Sequence, residues 1–232
     1  MIELHYHPGN ANMAPHIVLH EIGTPFTKVL VDRAAQGHKS AAYLALNPNG
    51  LIPVLRDGDL VLYEAAAICL HLADRHPQAR LAPALGTPER AHFYKWLVWM
   101  TNTLQTALML YFYPMRALGD GRALGDGDDA NHVEAAKLVK RHAQVRVGEL
   151  LGQLDAQLAR HGQPWLLGAD YSAADAYAFM LCRWTRGFET DAASLAVPAR
   201  LHAQLGPYLE RMLARPAVQK VLIDEGLAEP WV

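Results

Sequence analysis

Cysteine is scarce in this chain. Cys69 and Cys182 are the two among 232 residues, far apart and each inside an apolar helical pattern. That excludes a disulfide framework and a Cys-x-x-Cys dithiol, and it predicts two buried free thiols in a reducing cytoplasm. Long apolar runs are missing as well. No stretch of about 18 uncharged apolar residues occurs, so no membrane span is expected. The longest apolar tract, residues 96–113, is broken by Thr, Asn and Gln. The opening Met1-Ile2-Glu3-Leu4-His5-Tyr6-His7 has no basic segment followed by an apolar core, so no signal peptide is expected. Neither sign of charge dominates: 21 Lys and Arg face 23 Asp and Glu. A formal net charge of −2 argues against nucleic acid or an acidic membrane as partner. Internal repeats are absent. What is present is a 51% hydrophobic, 19% charged chain, the composition of a packed soluble core, long enough for two modest domains.

The local patterns divide that length. Residues 2–6 alternate weakly and predict a strand. Pro8-Gly9-Asn10-Ala11-Asn12 predicts a loop, and residues 13–22 a helix with Pro15 in its first turn and Gly23 as its stop. A strand over 26–31 and a short helix over 40–46, ended ahead of Pro48, follow. Residues 54–55 and 60–62 predict a hairpin across Arg56-Asp57-Gly58-Asp59, and 64–75 a helix. The expected order is βαβαββα. Residues 82–88, with Pro83, Gly86 and Pro88, read as a linker. Only helical patterns come after it: 89 to about 118, bent or broken near Pro114; 130–160; 172 to about 188; 198–215; and 217–225. A loop rich in Gly and Asp covers 119–131, and Ser172-Ala173-Ala174-Asp175 is a capping box. The expected fold class is α/β plus all-α, with domains at 1–81 and 89–232.

Two segments carry the most chemistry. In Asn47-Pro48-Asn49-Gly50-Leu51-Ile52-Pro53-Val54-Leu55, Pro48 and Gly50 make a turn. Pro53 then opens an apolar run, where proline is confined to a strand start, edge or bulge. It is a candidate cis bond, which turns the Ile52 backbone outward to pair with an extended ligand. In Tyr63-Glu64-Ala65-Ala66-Ala67-Ile68-Cys69-Leu70-His71-Leu72, Glu64 stands at a helix start, where unpaired N–H groups suit a carboxylate and Glu64 suits an ammonium. In order and spacing, these segments and the capping box after Gly168-Ala169-Asp170-Tyr171 resemble the glutathione S-transferase superfamily over nearly the whole chain. The resemblance implies an N-terminal thioredoxin-like domain, an all-helical C-terminal domain with the electrophile pocket, glutathione as co-substrate and a homodimer. It places Ile52, Pro53, Glu64 and Ala65 at the glutathione site. Ala65 stands where the family has serine, a loss of about 1.5–3 kcal/mol if one hydrogen bond to a charged group goes missing.

Glutathione chemistry needs a thiolate, and donors aimed at the sulfur lower its pKa. Pro8-Gly9-Asn10-Ala11-Asn12-Met13-Ala14-Pro15-His16 is similar to the bacterial beta-class Pro-Gly-Ala-Cys-Ser-x-x-Pro-His, with Ala11 in place of cysteine and Asn12 in place of serine. A mixed disulfide cannot form there. Asn12 is the first candidate to orient the sulfur, since its amide can donate to a thiolate and some groups such as nu class use asparagine or threonine in this loop. Asn12 is equally a helix N-cap. Asn10 is the second candidate and Tyr6 the third. Gly37-His38-Lys39-Ser40 resembles the His-Lys-Ser of plant-type members, placing His38 and Lys39 near the glycine carboxylate.

Trp99, Met100, Gln105 and Tyr113, on an aromatic and Met-rich helix, are candidates for the electrophile pocket; core packing is the ordinary reading of such a stripe. Gln105 aligns with a beta-class histidine. His16 and His20 have helical spacing, but no acidic or Cys partner accompanies them in sequence, so no metal is expected. The implied activity is conjugation of glutathione to a hydrophobic electrophile in detoxification. Alternatives are a glutathione-dependent disulfide or peroxide reductase, or a binding protein without turnover.

Overall fold

The computed structural model describes residues 1–119, 129–188 and 195–232. Four strands, β1 (Ile2–Tyr6), β2 (Phe26–Leu30), β3 (Val54–Asp57) and β4 (Leu60–Tyr63), form one sheet in the order β2-β1-β3-β4. β1 pairs β2 in parallel, so the chain must cross over between them, and α1 (Met13–Ile22) is that crossover. β3 runs antiparallel to both β1 and β4, as a hairpin whose turn uses Gly58 at φ 62°. α2 (Ala41–Leu46) precedes β3, capped by Ser40, whose hydroxyl accepts from the Tyr43 N–H at 3.2 Å. α3 (Ala65–Arg75) follows β4. Gly23 ends α1 in the left-handed region that a helix stop favours.

Everything after residue 87 that is described is helical or loop. α4 (Pro88–Trp99) runs into a π-helical segment, Met100–Gln105, and then α5 (Thr106–Phe112). The single helix expected to about residue 118 is therefore interrupted, and the reason is local. Thr101 Oγ1 donates to the Val98 carbonyl at 2.8 Å and Thr106 Oγ1 to the Thr101 carbonyl at 3.3 Å, so hydroxyls compete for the helix's own acceptors. α5 ends at Phe112 because Pro114 disfavours helical backbone at Tyr113, which leaves at φ −130°. A short 3-10 turn, Pro114–Leu118, follows. The 119–131 loop falls largely outside the described residues. α6 (Asp129–His161) and α7 (Ala173–Arg183) come next. α7 was expected to reach residue 188; the Thr185 hydroxyl takes the Cys182 carbonyl at 2.7 Å and the helix stops at Arg183. The expected 198–215 helix is a 3-10 turn, Ala199–Leu201, and α8 (Leu205–Leu213). Asp155 of α6 caps α8 from outside, accepting from the N–H groups of Gln204 and Leu205 at 2.7 and 2.8 Å. α9 (Pro216–Asp224) is the last helix.

Every residue of α7 is buried, and four of its eleven are alanines, which let α1, α3 and α4 pack close around it. The capping box is formed: Asp175 accepts from the Ser172 N–H and from the Leu166 N–H, each at 2.8 Å. One contiguous core therefore joins sheet and helices. Among the described residues, no helix is long and apolar enough to cross a membrane.

Candidate active site

The β1–α1 loop meets the helical part of the chain at a buried carboxylate. Glu225, just after α9, accepts from the Gly9 N–H at 2.8 Å, from Asn12 Nδ2 at 2.7 Å and from His16 Nδ1 at 2.8 Å. Asn12 is fully buried; its Oδ1 accepts from the His7 N–H at 3.1 Å. Arg183 of α7, also buried, carries the charge that opposes Glu225; burial and Arg186 pull its pKa down to about 10, partly offset by Glu225. Trp184 fastens the same loop from the other side, donating its Nε1–H to the Gly9 carbonyl at 3.0 Å. The loop is thus clamped by side chains more than 170 residues away in sequence.

Above this clamp opens a cleft of about 300 Å³. One wall is Gly9, Asn10 and Ala11 of the loop. A second is Gly50, Leu51 and Ile52, with the Ile52–Pro53 peptide in the cis form anticipated for it. Arg33, His38, Lys39 and Arg116 bring basic groups, and no carboxylate is among the described lining residues. Gln105, Met109, Phe112, Tyr113 and Trp184 make the far side largely aromatic. The Arg116 guanidinium lies 3.9 Å from the Tyr113 ring centroid. Arg33 donates to Asn10 Oδ1 at 3.1 Å, which fixes the amide and leaves its N–H₂ with only a long 3.3 Å contact to the Pro8 carbonyl. The Tyr177 hydroxyl donates to Gln105 Oε1 through a short hydrogen bond. Burial, then Arg33 and Lys39, push the pKa of His38 below the ordinary imidazole value, so it is neutral at pH 7.

A family model for the glutathione S-transferase N-terminal domain matches residues 13–75, and one for the glutathione S-transferase C-terminal domain matches residues 128–224. Glutathione S-transferase GST-4.5 of Xanthomonas campestris is 31% identical, with 97% of this chain and 100% of that protein aligned. The chain belongs to the glutathione S-transferase family. A sphingomonad glutathione S-transferase solved in complex with glutathione is 30% identical at a TM-score of 0.75, covering 97% of this chain and 100% of that one. A Sulfitobacter glutathione transferase homolog shares the fold at a TM-score of 0.80, covering 98% and 99% of the two chains at 24% identity.

Against this transferase frame, the sequence-predicted residues divide. Asn10, His38, Lys39, Ile52, Gln105 and Tyr113 reach the cleft. Asn12, Tyr6, Trp99 and Met100 do not. Asn12 is no sulfur donor here: it has no exposed surface and both ends of its amide are engaged within the protein. Nor does its side chain cap α1. Tyr6 packs on the core, with Lys28 Nζ 5.3 Å from its ring. Met100 is fully buried in the core, and Trp99, half-buried, packs on the core edge-on against Trp96 at 5.1 Å. Pro53 is buried behind Ile52. Glu64 is exposed at the start of α3, with positive φ of 73°, and Ala65 beneath it is buried. Burial pushes the pKa of Tyr177 up, and its hydroxyl donates to Gln105 of the cleft.

Sequence reasoning missed Arg33, Arg116, Trp184 and Glu225. Glu225 sits five residues before Pro230 with no motif around it. The two cysteines are buried free thiols; burial pushes Cys182 up to about 12 and Cys69 higher still, so neither supplies a thiolate.

Proposed function

We propose that the cleft binds glutathione in extended form and presents its sulfur, as a thiolate, to a hydrophobic electrophile. The supporting observation is one cleft with two chemistries: polar and cationic on the loop side, aromatic on the helical side. On this reading the free N–H of the Asn10 amide and the uncapped start of α1 stabilise the thiolate. The backbone of Ile52 pairs with the cysteinyl unit, Lys39 and neutral His38 hold the glycine carboxylate, and Glu64 with the start of α3 holds the γ-glutamyl end. Gln105, Met109, Phe112, Tyr113 and Trp184 receive the electrophile. Ala11 supplies no side-chain nucleophile, so the protein contributes positioning and electrostatics to a direct attack of the sulfur. The division into residues 1–81 and 89–232, the homodimer and the cytoplasmic setting remain part of the same proposal.

A second reading has its own support. Arg33, Lys39 and Arg116 exceed what one glutathione requires, and a glutathione disulfide carries twice the carboxylates. Product analysis separates the two. Incubation with a chloronitroarene is expected to give the glutathione conjugate, and Asn10→Ala is expected to lower kcat/KM about tenfold, with the bound thiol's ultraviolet titration moved to higher pH. Conjugation at the uncatalysed rate together with turnover of a disulfide would select the second reading.

A further inference from the structure

On the far side of the loop clamp, α1 and α9 bring three ligand atoms together. His16 and His20, one helical turn apart on α1, point their Nε2 atoms at Asp224, the last residue of α9. Asp224 Oδ2 lies 4.0 Å from His16 Nε2 and 3.4 Å from His20 Nε2, and the three atoms fall within 4.8 Å of one another. The acid within α1, Glu21, pairs with Arg215, and the carboxylate that faces the imidazoles arrives from about 200 residues downstream.

The tautomer at His16 is decided by its other nitrogen. Glu225 Oε1, 2.8 Å from Nδ1, already accepts from Asn12, so Nδ1 donates to it and Nε2 is the nitrogen left facing Asp224. That nitrogen is fully buried and, among the described residues, has no hydrogen-bond partner. His20 Nε2 is likewise without one. A carboxylate behind one imidazole, a bare nitrogen in front and a second carboxylate facing it is the arrangement by which proteins orient metal-bound histidines. Asp224 is oriented too: Lys220 holds Oδ1 at 2.6 Å and leaves Oδ2 toward the imidazoles. Lys28 lies 3.6 Å from Oδ2 but also donates to the Asp224 backbone carbonyl at 3.1 Å, so it can yield the carboxylate oxygen without losing its anchor. Phe26 packs edge-on against both rings, at 5.6 and 5.2 Å, and holds them in place. The side chains of His20 and Asp224 are 21% and 17% exposed, which gives an ion a way in from solvent.

We propose that His16 Nε2, His20 Nε2 and Asp224 Oδ2 form a binding site for a divalent transition-metal ion of the zinc type, with water completing its coordination. Two imidazoles and one carboxylate suit such an ion and do not suit magnesium or calcium, which take oxygen ligands. Ligand bonds near about 2.0–2.1 Å in a tetrahedral arrangement set ligand atoms about 3.4 Å apart, so His20 Nε2 and Asp224 Oδ2 already have that separation, while His16 Nε2 must close on Asp224 Oδ2 by about 0.6 Å from its 4.0 Å. The ion would tie α1 to α9 directly behind Glu225, the residue that fixes the loop at the cleft.

The test is calorimetric titration of the full-length, chelator-treated protein with Zn²⁺. One ion per chain is expected. His20→Ala and Asp224→Asn are each expected to weaken binding at least about tenfold, while His92→Gln, an exposed histidine elsewhere, leaves it unchanged. Circular dichroism checks that each variant is folded. Should a variant not fold, imidazole nitrogen resonances of the unmutated protein carry the test, and zinc must shift those of His16 and His20 before that of His92. No saturable binding, full affinity retained in either ligand variant, or a loss shared by His92→Gln would overturn the site.

Discussion

Asn12 and Glu225 show how far one residue's role depends on a partner that is remote in the chain. An asparagine just ahead of a helix satisfies two local patterns, the N-cap and the sulfur donor, and both are written in its neighbours. Its actual partners are the His7 N–H and the carboxylate of Glu225. No pattern around residue 225 announces a buried acid that collects three donors. Glu225→Ala leaves Gly9 N–H, Asn12 Nδ2 and His16 Nδ1 unpaired and removes the charge opposing buried Arg183. The expected cost is about 3–5 kcal/mol in urea unfolding. Asn12→Ala is expected to cost about 1–3 kcal/mol, because it strands one N–H and one carboxylate lone pair. A change below about 0.5 kcal/mol in both would show that the clamp contributes nothing. Residues of the other kind were legible. Gly23, Gly58 and Ser40 act through backbone conformation and local hydrogen bonds, so their neighbours in sequence suffice to read them.

Elements follow the same division. β1 to α3 were readable in order and nearly in extent, because strands and helices of this size carry their own periodicity and punctuation. The helical half was readable as helical but not in its breaks. Threonine hydroxyls interrupt α4, Asp155 starts α8 from another helix, and Thr185 ends α7 early. These are side-chain competitions with the backbone, and periodicity does not register them. At β1, burial carries a pH consequence. His5 faces the Tyr43 ring edge-on at 6.0 Å. Burial first, with Arg56 adding and Glu3 opposing, pushes its pKa below the ordinary value. A histidine lowered in the folded state is protonated first in the unfolded chain. Stability is therefore expected to fall as pH drops below about 6.5 and to keep falling until the folded ring itself takes up a proton. Thermal melts of the unmutated protein between pH 7.5 and 5 (about the window in which imidazoles titrate) are expected to show that slope, and His5→Gln to flatten part of it. An unchanged slope in His5→Gln would assign the effect to other histidines.

At the scale of the whole molecule, the cleft is built jointly by the sheet-bearing part of the chain and the helical part. The loop after β1, the turn before β3 and the end of α5 converge on one cleft, with Trp184 and Glu225 holding the loop from the helical side. Its polar wall, with Gly9, Asn10, Ala11, Gly50, Leu51 and Ile52, was legible because turn and proline chemistry is local. Its aromatic side was half legible: Gln105 and Tyr113 reach the cleft, while Trp99 packs on the core and Met100 is buried in it. A helical stripe does not declare which of its faces a neighbouring helix will cover. We propose this cleft as a glutathione site that presents the sulfur to Asn10, with Glu64, exposed at the start of α3 and outside the residues that line the cleft, holding the γ-glutamyl end. Calorimetric titration with glutathione tests it most directly, using the unmutated protein beside Glu64→Ala and Asn10→Ala. Saturable binding is expected, weakened at least about tenfold in Glu64→Ala and within about threefold of the original in Asn10→Ala, whose defect belongs to the thiolate. No binding by the unmutated protein, or full affinity in Glu64→Ala, would contradict it.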